Sequence, residues 1–264
     1  MGKESRNMRI LILGAGKMGS FFTDLLSFSH DVAVMDADPK RMRFIYNALR
    51  FSSYAEVEEF APEMVINCVT LNHTIDAFRS VIPHLGKDCI LADIASVKTG
   101  LKEFYKESGF RFVSVHPMFG PTFANLGNLQ TENAILISES DYLGKIFFKD
   151  LFSSLKLNIR EYTFDGHDEV VAYSLSVPFA STLVFASVMK HQDAPGTTFK
   201  KHMAIAHGLL SEDDYLLTEI LFNPRTPDQL EKIINELGGL LEMVKAKDSP
   251  GMKKFLDKVR TNLE

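Results

Sequence analysis

Only two cysteines, Cys68 and Cys89, and no tryptophan occur in the 264 residues. Two cysteines build no disulfide framework for a chain of this length, and neither has the paired Cys/His spacing of a zinc site. A reducing cytoplasm is therefore the expected compartment. A surplus of basic charge is missing too: 29 Lys and Arg against 34 Asp and Glu leave a net charge of -5. With no broad positive face for a phosphate backbone, nucleic acid is not an expected partner. No run reads as a membrane span. The nearest, Val170 to Met189, holds Tyr173, Ser174, Ser176, Pro178, Ser181, Thr182 and Ser187, and reads instead as a buried helix. The opening MGKESRN lacks a small-residue cleavage site before the first apolar run, so no secretory signal is expected. What remains, 45% hydrophobic and 24% charged, suits one large globular domain or two unequal ones.

From Met8 to about Phe164, short apolar runs that do not alternate are separated by amphipathic stretches. MRILIL leads into a helix from Met18, VAVMD into a helix over Pro39 to Leu49, and MVINCV into a helix near Thr74. CILADI precedes a helix from Val97; RFVSVHP, AILIS, a helix over Leu143 to Leu155 and a strand over Ile159 to Tyr162 complete the series. Unbroken apolar strands need helices on both faces, so this rhythm predicts a doubly wound α/β sheet over residues 1–164. After that the pattern is helical only: His167 to Lys190, Thr197 to Leu209, Ser211 to Leu221, Pro227 to Ala246 and Pro250 to Asn262. Ser211 with Asp214 reads as a capping box, and Thr226 before Pro227 as a cap with a first-turn proline. Residues 165–264 are thus read as an all-helical domain. One of its helices is apolar almost all round, which implies a homodimer or packing on the first domain.

Gly14-Ala15-Gly16-Lys17-Met18-Gly19 places GxGxxG directly after the first strand and at the start of the first helix. Gly14 permits the tight turn, Gly16 lets a pyrophosphate approach the backbone, and Gly19 allows close helix–strand packing. Asp36 ends the second strand, 22 residues beyond Gly14. There its carboxylate can accept from an adenosine ribose, favouring NAD, although Lys40 and Arg41 keep NADP open. Val69 and Thr70, just past the third strand, are placed to line the same crevice.

Ligands of open α/β sheets bind outside the carboxyl ends of the strands, which singles out Ser96 and His116. A neutral imidazole can take a proton from a substrate hydroxyl while a nicotinamide takes the hydride. Taken alone, His116 serves equally well as a turn-stabilising residue before Pro117. Cys68 reads as a small core residue, His73 and His84 as surface or core histidines, and no metal site is expected.

The strings GAGKMG, DIASVK and SVHPMFGP, at these separations and followed by Gly166-His167-Asp168, resemble the prephenate dehydrogenases of tyrosine biosynthesis. The resemblance implies a Rossmann domain followed by a helical dimerisation domain, and oxidative decarboxylation of prephenate by NAD to 4-hydroxyphenylpyruvate. His116 would be the base, with Ser96 orienting both the hydroxyl and His116. In related enzymes a helix of the second domain presents arginines to the substrate. The corresponding segment here, Phe199 to Gly208, contains none. Lys200 and His207 stand near those positions, Arg225 is an alternative cation, and His167 could approach across the domain boundary. Arogenate is the nearest rival substrate. A non-catalytic sensor of NAD and an aromatic acid is the rival from another class, and a 3-hydroxy acid oxidoreductase is disfavoured by HPMFGP.

Overall fold

Ile10 and Ile12 pack into one apolar layer while Leu11 and Leu13 pack into another, so the first strand must be apolar throughout. The computed structural model describes residues 7–120 and 128–263. Pro121 of the HPMFGP string and the polar residues 1–6 therefore lie outside the described residues. In chain order the sheet-forming part runs β1 (Arg9–Leu13), α1 (Lys17–Leu26), β2 (Asp31–Met35), β3 (Leu49–Phe51), α2 (Tyr54–Phe60), β4 (Met64–Asn67) and α3 (Thr74–Val81). It continues with β5 (Ile90–Asp93), α4 (Leu101–Ser108), β6 (Arg111–Pro117), β7 (Asn133–Ile137), α5 (Tyr142–Ser154) and β8 (Asn158–Tyr162).

The strands form one eight-stranded sheet in the order β3-β2-β1-β4-β5-β6-β7-β8. The first six are parallel, β7 runs antiparallel to β6, and β8 is parallel to β7. Phe22 of α1 and Phe148 and Phe152 of α5 cover one face; Phe78 of α3 and Phe104 of α4 cover the other. The chain moves outward from β1 to β3 and then returns to β4 on the other side of β1. This reversal opens a crevice at the carboxyl ends of β1 and β4.

Two segments differ from the expected pattern. Residues 39–49 do not form a helix: a 3-10 turn spans Pro39–Phe44, started by Asp38 accepting from the Lys40 N–H, and the chain then enters edge strand β3. Only Met42 and Ile45 of that stretch are buried, too narrow an apolar stripe to dock a full helix. The following α2, capped by Ser53 and Glu56, was not foreseen. The helix expected from Val97 starts at Leu101, after Gly100 at φ 75°, and leaves Ser96 to Lys98 in the non-helical link that follows β5.

The helical part begins on the sheet. α6 (Phe164–Val171), a π-helical turn over Ala172–Ser176 and α7 (Val177–Val188) make one continuous rod, followed by α8 (Thr197–Leu209), α9 (Asp214–Leu221), α10 (Thr226–Ala246) and α11 (Ser249–Thr261). Ser176 Oγ donates to the Ile220 carbonyl at 2.8 Å and accepts from Thr226 Oγ1 at 2.9 Å, fastening the rod to α9 and α10. Thr226 thus opens α10 from inside and is not its cap. Asp213, not Ser211, caps α9 by accepting from Tyr215 and Leu216. The rod is long and apolar enough to cross a membrane by length and composition alone. The expectation of burial holds for its first half only, because no residue of α7 is buried within the single chain.

Candidate active site

The glycine loop turns at Gly14, whose φ of 92° suits glycine, and a Cβ there would lie 3.0 Å from the Val69 nitrogen. A Cβ on Gly19 would collide with the Gly14 carbonyl oxygen. Gly16 differs: a Cβ there meets nothing within 4 Å, and no side chain caps the amino end of α1. The loop therefore presents an open backbone face and uncapped helix N–H groups, which fits the pyrophosphate of a dinucleotide. Ala15 is buried, Lys17 exposed and Met18 half-buried in the same turn. Asp36 Oδ2 accepts from the Ala15 N–H at 2.6 Å and Oδ1 from the Asp38 N–H at 2.8 Å, tying the loop to the end of β2. Val69 and Thr70 continue from β4 beside Gly14. Cys68 backs the loop as a packing residue, its thiol pushed far up by burial and so unsuited to nucleophilic attack.

His116 ends β6, buried, with its Nδ1 3.0 Å from Nε2 of His167 on α6. Nδ1 of His167, in turn, lies 3.4 Å from Asp168 Oδ1. Burial holds the His116 imidazole well below its usual range, and His167 and Lys98 push it the same way. Burial also lowers His167, against its hydrogen bond to the Asp168 carboxylate. Both rings are thus neutral near pH 7, as proton acceptance by His116 requires.

Beneath this pair lies a group the sequence reading passed over. Lys98 is buried and donates to Asp93 Oδ1 at 2.5 Å and to the carbonyl of Val115, the residue before His116, at 2.7 Å. Asp93 also accepts from the Ala95 N–H at 3.1 Å and the Tyr105 hydroxyl at 2.7 Å. Burial lowers the Lys98 amine while Asp93 opposes that fall. Burial raises the Tyr105 phenol, and the negative Asp93 raises it further. The available signal was a lysine within the strand-end segment DIASVK, five residues after an aspartate that ends a wholly buried strand.

Ser96 is half-buried beside Lys98 on the same turn, but no hydrogen bond joins it to His116. The orienting contact on the His116 ring comes instead from His167. Among the cationic candidates, Arg225 is the one placed near this pair. Its Nη2 lies 3.6 Å from Glu169 Oε1, and Asn223 Nδ2 donates to the Asp168 carbonyl at 2.9 Å. Lys200 and His207 are exposed on α8, with no hydrogen bond or ion pair to His116 or His167. His84 is occupied elsewhere, bonded to Glu58 at 2.6 Å and stacked on Tyr54. A cavity of about 770 Å³, lined by Met8, Glu63, Cys89, Arg111 and Phe147, lies at the opposite, amino-terminal edge of the strands and is separate from this crevice. No group of three or more His, Cys, Asp or Glu suited to a metal ion occurs among the described residues.

The family model for the prephenate dehydrogenase nucleotide-binding domain matches residues 28–140. A curated relative, the probable arogenate/prephenate dehydrogenase of Methanocaldococcus jannaschii, is 25% identical over 210 residues, which are 74% of this chain and 46% of the relative. The chain therefore spans about half the length of that relative. Among solved structures, prephenate dehydrogenase from Aquifex aeolicus, in complex with hydroxyphenyl propionate and NAD+, superposes with a TM-score of 0.83 at 19% identity, covering 98% of both chains. Synechocystis arogenate dehydrogenase superposes with a TM-score of 0.76 at 17% identity, covering 97% of this chain and 98% of that one. At those identities the structures establish a shared fold, and that fold includes the helical part.

Proposed function

We propose that the chain catalyses NAD-dependent oxidative decarboxylation of prephenate to 4-hydroxyphenylpyruvate. The observation that carries this reading is the buried, neutral His116 at the carboxyl end of β6, on the edge of the sheet where the glycine loop lies. Gly14, Ala15, Gly16, Lys17, Met18, Gly19, Val69 and Thr70 would hold the dinucleotide, and Asp36 would take the ribose hydroxyls and repel a 2'-phosphate. Bound there, NAD supplies the hydride acceptor. His116 takes the proton of the ring hydroxyl as hydride departs from the same carbon. The electron pair of the ring–carboxylate bond then completes the aromatic ring as carbon dioxide leaves, and the proton returns to the phenolate oxygen. Aromatisation drives the reaction, so positioning is the chief task of the protein. Ser96, free of His116, is available to bind the substrate hydroxyl. Arg225 is the best-placed partner for a substrate carboxylate; Lys200 and His207 would have to reach the site from the exposed face of α8.

Arogenate remains the second reading, supported by the names of the M. jannaschii and Synechocystis proteins. We also propose that the chain works in the cytoplasm as a homodimer. Support comes from apolar side chains left open on the helical domain, including Val188 at 71% and Leu237 at 58% exposure, more than a stable monomer usually presents. Sedimentation at micromolar concentration is expected to give twice the chain mass. The test of the chemistry is absorbance at the NADH band after mixing protein with NAD and either prephenate or arogenate, with NADP in parallel. NADH with prephenate and NAD is the expected result. His116→Asn should still bind NAD while losing turnover by about 10²- to 10⁴-fold; near-normal turnover in that variant would remove the assigned role.

A further inference from the structure

His116 and His167 share one hydrogen bond, 3.0 Å from Nδ1 to Nε2, so one ring must donate and the other accept. Two neutral arrangements are possible. If His167 donated from Nε2, its Nδ1 would turn a lone pair toward Asp168 Oδ1 at 3.4 Å, acceptor against acceptor. His116 would then carry its own proton on Nε2, and that nitrogen would have no lone pair for a substrate. In the other arrangement the His167 Nδ1–H faces the Asp168 carboxylate, its Nε2 accepts from the His116 Nδ1–H, and every contact is attractive. The His116 Nε2 lone pair then remains, on a nitrogen that bonds no other described residue. A charged pair is opposed by burial and by the Lys98 ammonium, with Asp93 already engaged by Lys98 and Tyr105. The backbone supports the arrangement: Asn223 fixes the Asp168 carbonyl, and Thr163 caps α6 so that His167 is held in its first turn.

We infer that His167, oriented by Asp168, is a positioning residue that accepts the Nδ1 proton of His116 and so holds His116 in the tautomer whose Nε2 acts as the base. His167 is fully buried and both of its nitrogens are engaged, so it acts through His116 and does not touch substrate. The inference deepens the proposed dehydrogenase reading, but its direct test needs no substrate.

The test is nitrogen NMR of the full chain labelled with ¹⁵N-histidine at pH 8, with the two rings assigned by the loss of signals in His116→Asn and His167→Asn. In the wild-type protein, Nδ1 is expected to be protonated and Nε2 bare on both rings. In His167→Ala, His116 should move toward the Nε2-protonated form or toward a mixture of the two. A wild-type His116 protonated on Nε2 overturns the inference, as does an unchanged His116 tautomer in folded His167→Ala. If that variant does not fold, the wild-type spectrum decides alone. Kinetically, His167→Ala should lower kcat on the order of 10²-fold with KM nearly unchanged; a raised KM with kcat intact would make His167 a substrate ligand and overturn the inference. A spectrum of the expected form without NADH from prephenate or arogenate would sink the dehydrogenase reading and leave the histidine pair standing.

Discussion

The two halves of the crevice are built from different materials. The glycine-loop half is shaped by backbone: a positive φ at Gly14, an open face at Gly16 and a close approach at Gly19. The histidine half is shaped by buried side chains that hold one another, with Asp93, Lys98 and Tyr105 beneath and His116, His167 and Asp168 above. Backbone sites tolerate little added volume but carry little buried charge. Side-chain sites depend on complete pairing, because a buried ion left alone costs far more than a lost contact.

That contrast can be broken from either side. The largest expected effect is Lys98→Met, which keeps the stem and removes the ammonium, leaving the Asp93 carboxylate with only the Tyr105 hydroxyl and the Ala95 N–H. A loss of about 3–5 kcal/mol in urea unfolding is expected, the range for deleting one partner of a buried ion pair; a loss under about 1 kcal/mol would mean that Asp93 is not ionised against Lys98. Next is Gly19→Ala, whose Cβ meets the Gly14 carbonyl, a backbone atom that yields little. A cost of about 1–3 kcal/mol is expected, together with weakened NAD binding by calorimetry. Gly16→Ala, with open space around it, should leave stability nearly unchanged and reduce only nucleotide binding.

The smallest effect concerns acid. His116 and His167 are lowered from the usual 6.5 in the folded protein, so the unfolded chain binds their protons more readily as pH falls. Their contribution to stability is therefore level above that value and is lost as pH drops through 6.5, well before the surface carboxylates respond. Melting midpoints measured from pH 8 to pH 5.5 should fall on the acid side, and the slope should shrink in His116→Asn. An identical slope in that variant would refute the buried neutral histidine.

Legibility in the sequence follows the same division. Strand periodicity placed seven of the eight strands, and GxGxxG with Asp36 marked the glycine-loop half, because there each residue type reports its own backbone duty. Edge strand β3, three residues long and only partly buried, carried no period to read. Ser96 and His116 were singled out by their places at strand ends, but the partner of the His116 ring was not: the His167 ring stands 51 positions away and reaches it only through the sheet and α6. Lys98 was passed over because a lysine reads as solvent-facing unless its partners are known, and Val115 is 17 residues distant. In the helical part, periods gave the helices nearly residue by residue, whereas the choice of Asp213 over Ser211 as a cap was missed, and the role of Thr226 depended on Ser176, 50 positions away.

The hydrogen bond from the Ala15 N–H to Asp36 has a consequence for how this protein can change its cofactor. The carboxylate that would discriminate against a 2'-phosphate is also the strut that braces the glycine loop, so selectivity and loop shape are not independent traits. A replacement that merely removes the charge, such as Asp36→Ala, also strips the loop of its brace. An exchange toward NADP therefore has to proceed through a neutral acceptor such as serine or asparagine, and the path between the two preferences is correspondingly narrow.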